Sequence, residues 1–164
     1  MKTPTLKLCL VLIFSFVLFS CSNDDEGIYF EDIAEVAVEY SQMENEILDL
    51  VNKHRESIGL SVLIPLNIIS SIADSHTTYM IDAGTISHDN FPQRSQNLMS
   101  KIDAKSVGEN VAYGYGTAQG VVNGWLNSDG HRKVIENANY THFGISTECN
   151  MAGRNYFTHI FINK

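Results

Sequence analysis

VGENVAYGYGTAQGVVNGWLNSDGHRKVIENANYTHFG, residues 107–144, is the stretch around which the chain is organised. It gathers Glu109, Asn110, Trp125, His131 and His142 between corners marked by glycine. Imidazole and carboxylate groups on turn-flanked elements can converge on one cleft, where they bind a divalent cation or move a proton. Gly108 permits a backbone conformation that side-chain-bearing residues resist, so Glu109 is expected on a loop. Thr117 can cap a helix through Val121, Val122 and Trp125, with Trp125 as its large apolar anchor. Asn127-Ser128-Asp129-Gly130 is a dense turn signal, and His131 opens the next segment.

Upstream, Ile47, Leu50, Val51 and Ile58 recur at helical spacing from Gln42, and Gly59 ends that helix. Val62 to Leu66 is a short extended link. Asn67 is a good cap for a second helix to Asp82, closed by Gly84. His76 lies on the inner face of that helix, where a buried histidine with one hydrogen bond is the expectation. His88 follows in the turn-rich Thr85-Ile86-Ser87-His88-Asp89, free to face a cleft, and Phe91-Pro92 opens a short helix to about Lys101. Downstream, Phe143, Ile145 and Thr147, then Tyr156, Thr158, Ile160 and Ile162, alternate on either side of Asn150-Met151-Ala152-Gly153, which predicts a hairpin. Helices followed by strands give an α+β chain. Cys149 sits in an alternating segment and is expected to be small, buried and apolar in behaviour.

The N-terminus has a different character. Lys2 and Lys7 precede an apolar run from Leu8 to Phe19, the pattern of a secretory signal and too short for a comfortable membrane span. Leu18-Phe19-Ser20-Cys21 is similar to a lipobox, so residues 1–20 are expected to be a lipoprotein signal peptide. Cys21 is the expected lipidation site, and its acyl chains would anchor the protein outside the cytoplasm, on a bacterial envelope membrane. Residues 21–41 form an acidic tether, since every charged residue from Asp24 to Asp49 is Asp or Glu. From Leu50 onward acids and bases balance. No basic stripe exists, which excludes nucleic acid as an expected partner. Residues 42–164 make one domain.

GENVA, GWLNSDGHRKVI and NYTHFGIS, with EILDLVNKHRESIGL, ADSHTTYM and ISHDNFPQR upstream and NYFTHIFIN downstream, resemble the bacterial branch of the CAP superfamily. These SCP or PR-1-like domains take their name from the cysteine-rich secretory proteins, antigen 5 and the plant pathogenesis-related proteins. The resemblance implies an α-β-α sandwich around a mostly antiparallel sheet. It also implies a cleft tetrad of two histidines and two acids that holds zinc or another divalent cation in several members. Carried over, His88, Glu109 and His131 are the expected metal ligands. The second acid is missing: its place is Ser128, with Asp129 the nearest carboxylate. Asp129 and His159, which stands where relatives commonly carry glutamine, are expected to line the cleft. Asn52, Arg55 and Arg94 match family positions and are expected to be structural.

Two function classes follow. The first is a tethered module that binds a metal, a lipid-like small molecule or a protein. The second is a metal-dependent hydrolase of peptides or envelope polymers with Glu109 as base, which the missing acid leaves under-equipped.

Overall fold

The structure is a computed structural model that describes residues 38–164; the signal, Cys21 and the acidic segment up to residue 37 lie outside the described residues. Helix α1 (Gln42–Ser57) opens on a capping box, in which Ser41 and Glu44 each satisfy the other's backbone N–H. Its inner face is Ile47, Leu48 and Val51; Ile58, expected there, lies past the helix end and is exposed. Strand β1 (Ile64–Pro65) leads into α2 (Asn67–Ala83); the cap position is Leu66, with no side-chain hydrogen bond, and Asn67, expected to be the cap, is the first helical residue. Gly84 closes α2 at a φ of 66°, the left-handed conformation that glycine adopts at no steric cost. Helix α3 (Phe91–Ile102) follows, then strand β2 (Ser106–Tyr113), α4 (Ala118–Leu126), the short α5 (Asp129–Ile135), and the hairpin β3 (His142–Cys149) and β4 (Asn155–Asn163). Thr117 accepts the Gly120 N–H, the cap expected of it.

The sheet runs β1-β3-β4-β2; β4 pairs antiparallel with both neighbours, and only β1 is parallel to its partner. Helices cover both faces, giving the expected α-β-α sandwich. One layer sets Ile47, Val51, Val121, Trp125 and Ile135 against Phe143, Phe157 and Phe161. The other sets Ile69, Ile72, Ala73 and Leu98 against Ile160 and Ile162. Gly144 lets α2 approach the sheet closely, because a Cβ there would stand 2.5 Å from the Ser70 nitrogen.

Two sequence expectations need correction. Glu109 lies on strand β2 and not on a loop, and Gly108 is required for space: a Cβ would meet the Tyr140 hydroxyl at 2.5 Å. Cys149 is exposed, beyond the last core position of β3. The structural expectations for Asn52 and Arg55 hold: Asn52 bonds both backbone groups of Leu63, and Arg55 donates to the carbonyls of Ser61, Ile135 and Asn137.

Candidate functional site

Glu109 and Asn110 are consecutive on β2, so their side chains leave opposite faces of the sheet. Because β2 is an edge strand, the two faces meet over its free margin, and the candidate site is assembled there.

On the α2/α3 face, Glu109 receives three charge-assisted hydrogen bonds. His88 Nδ1 donates to Oε1 at 2.8 Å, Arg94 Nε to Oε2 at 2.8 Å and Arg94 Nη2 to Oε1 at 2.8 Å. Arg94 and Glu109 side chains are each 1% exposed, so this is a buried, bidentate fork. Burial pushes the Glu109 carboxyl up, but the hydrogen bonds from His88 and Arg94, with the charge of Arg94, outweigh it and hold the group below its ordinary range. An ionised carboxylate only accepts, so His88 carries its proton on Nδ1 and, when neutral, presents the Nε2 lone pair outward. The His88 side chain is 51% exposed.

The loop that carries His88 is held from several sides. Buried His76 on α2 donates from Nε2 to the Ser87 carbonyl at 2.8 Å, Arg94 Nη1 donates to the Asp89 carbonyl at 2.6 Å, and the Tyr79 hydroxyl donates to Asp89 Oδ2 at 3.0 Å. Burial, then the nearby Arg94 charge, lowers the His76 pKa and keeps the ring neutral.

On the opposite face, Asn110 Nδ2 donates to the His131 carbonyl at 3.0 Å and Trp125 Nε1 to the Val111 carbonyl at 3.1 Å. These bonds fasten α4 and α5 to the margin of β2. Trp125, Ser128 and His131 then wall a groove of about 350 Å³, with Ile86 across from them and Val111 to Tyr113 along the strand. Tyr115 also lines the groove; its ring lies against Gly124, where a Cβ would collide with the tyrosine hydroxyl. Burial, then the charge of His88, lowers the His131 pKa, so His131 enters the groove uncharged at neutral pH.

The sequence-derived residues are therefore divided. His88 and Glu109 are joined, and His131 faces the same margin from the other layer. Asp129 does not join them: its side chain is 81% exposed and bound by Arg132 Nη2 at 2.6 Å. His159 does not line the cleft either. It is 0% exposed within the aromatic core, because β4 is the central strand and both its faces are covered. Arg94 makes the structural salt bridge expected of it, and its partner, which the sequence did not identify, is Glu109.

Among the described residues, no group of three or more His, Cys, Asp or Glu side chains is placed to hold a metal ion. The donor set is unfavourable as well. Both oxygens of Glu109 are engaged by Arg94 and His88, which leaves two histidines where an open zinc site uses three protein ligands. The residues present fit a divalent cation poorly.

The model of the cysteine-rich secretory protein family, CAP, matches residues 48–161. The chain belongs to the CAP family. Among curated relatives, the CAP chain is similar to the Bacillus subtilis membrane protein YlbC, 34% identical over 126 residues that cover 74% of this chain and 34% of that one. It is similar also to Bacillus subtilis YkwD, 36% identical over 108 residues, 64% of this chain and 42% of that one. The chain thus spans less than half the length of either relative. Among solved structures, an extracellular SCP-domain protein from Bacillus anthracis superposes with a TM-score of 0.65 at 27% identity, over 78% of this chain and 45% of the other. An outer surface protein from Borrelia burgdorferi gives a TM-score of 0.69 at 19% identity over 77% of this chain and 96% of the other, a likeness of fold.

Proposed function

We propose that this CAP domain is an extracytoplasmic, membrane-tethered binding module whose groove takes an amphipathic ligand and works without a resident metal ion. The observation that carries this reading is the Arg94–Glu109–His88 chain. A carboxylate locked by a buried guanidinium is a poor metal ligand and a poor general base, because its negative charge is balanced by Arg94 and both of its oxygens already accept hydrogen bonds. With Asp129 turned to solvent, the described residues place no second acid beside His88 and Glu109 to activate a water. The same geometry therefore disfavours the hydrolase.

What remains suits binding. Tyr113, Tyr115 and Ile86 offer exposed apolar surface to one part of a ligand, with the buried Trp125 behind them. His131 in the groove offers a hydrogen bond to a polar end. The placement at an envelope membrane rests on the lipobox-like Leu18-Phe19-Ser20-Cys21 and is supported by the named location of the relatives, a membrane protein and an extracellular protein.

Trp125 is the chain's single tryptophan, so its emission reports groove occupancy. Titration of the full chain with a medium-chain fatty acid should shift that emission saturably, and His131→Ala or Tyr115→Ala should weaken the effect. An unchanged emission, or a shift that both variants retain in full, would remove the groove as the ligand site.

A further inference from the structure

The buried group that the groove does not use is His159. Neither of its ring nitrogens has a hydrogen-bond partner, and its ring packs against Trp125, Phe143 and Phe161 at centroid distances of 5.5, 5.3 and 4.2 Å. Opposite it in the β2–β4 ladder stands Asn110, whose Oδ1 is likewise buried and unpartnered. An apolar residue would fill this place without leaving polar atoms unsatisfied. A titratable ring is here instead, in contact with the tryptophan that walls the groove.

We propose that His159 is an acid-sensitive latch beneath the groove: a proton on its ring sets an unsolvated charge against Trp125 and loosens the α4 wall.

No counter-charge stands ready. Asn110 of β2 is neutral, and Glu109 points to the other face. β3 contributes Phe143 and Ile145, and α4 contributes Trp125. The buried ionisable groups of the α1/α4/α5 layer, and those beside them that are paired, are engaged elsewhere. Arg55 is on backbone carbonyls, Glu44 on Ser41 and the Thr147 N–H, and His54 on Glu136. Tyr140 stacks on Phe161, and His131 lines the groove. Burial alone accordingly depresses the His159 pKa, to about 3.

The sign follows from linkage. The ring is neutral when folded but takes a proton near pH 6.5 when unfolded, so stability is full above that pH and declines continuously as pH falls toward the folded value. Between pH 7 and pH 5 this one residue should raise the unfolded-to-folded ratio about 25-fold.

The test is urea unfolding of the full chain at pH 7 and pH 5, followed by Trp125 emission, beside His159→Gln and His159→Phe. The unfolding constant of the unsubstituted chain should rise about 25-fold more on acidification than that of either variant. The other histidines titrate equally in all three proteins and cancel. Identical pH dependence in all three would overturn the latch. If neither variant folds, the pH titration of the His159 ring signals in the folded chain decides: a midpoint near 6.5 overturns the proposal, and one below 5 supports it. No ligand is involved, so this outcome is independent of whether the groove binds one.

Discussion

Arg94→Met is the perturbation that probes the site most sharply. Arg94 and Glu109 are each 1% exposed and share two hydrogen bonds of 2.8 Å, so removing the guanidinium strands a buried carboxylate. Breaking one side of a buried pair costs about 3–5 kcal/mol. The structure adds a ceiling, because the stranded Glu109 can escape by taking a proton. At about 1.36 kcal/mol per pH unit above a reference pKa of about 4.3, that escape costs about 3.7 kcal/mol at pH 7 but about 1 kcal/mol at pH 5. In the unsubstituted chain the Glu109 pKa is lowered, so its contribution is present above the unfolded pKa and is lost as pH falls through the folded one. The escape by protonation makes the substitution milder already at pH 5; the loss of the Glu109 contribution itself adds to this only below about pH 4.3. Urea denaturation should show a loss of about 3–4 kcal/mol at pH 7, a midpoint shift of roughly 2 M, and less than half that loss at pH 5. Arg94→Met/Glu109→Gln should regain more than about 2 kcal/mol of the additive expectation. A cost under about 1 kcal/mol at pH 7, or an equal cost at both pH values, would refute the locked carboxylate.

Gly144→Ala should destabilise by about 1–3 kcal/mol in thermal or urea unfolding, since its Cβ would press on the α2 backbone at Ser70 and Ile69. Cys149 is exposed and should react with a thiol reagent in the native protein as fast as in urea; protection in the native state would contradict its placement. Cys21→Ala should move the protein from the membrane to the soluble fraction on cell fractionation, and an unchanged distribution would contradict the lipid anchor.

Features encoded locally were legible in the sequence. The Thr117 cap, the Gly84 stop and the hairpin around Asn150-Gly153 each depend on a few adjacent residues, and the structure places all three as expected. Features set by the order of strands were not. β2 escaped notice because Glu109 and Asn110 put polar groups on both of its faces, erasing the alternation that marks a half-buried strand. The burial of His159 follows from β4 lying between β3 and β2, which no window of sequence reveals. Arg94 was recognisable as an ion-pair candidate, yet its pairing with Glu109, fifteen residues away, is created by α3 packing on β2. That pairing changes what His88, Glu109 and His131 can do together, and it separates this site from one read off motif positions alone.

Calorimetric zinc titration of the tag-free full chain, beside Arg94→Met and His88→Ala/His131→Ala, tests that claim most directly. The account predicts zinc binding no tighter than about 1 mM in the unsubstituted chain, tightening in Arg94→Met as Glu109 is released. Binding tighter than about 10 μM in the unsubstituted chain, lost in the double-histidine variant, would show that the cleft holds a metal after all and contradict the arginine-locked groove.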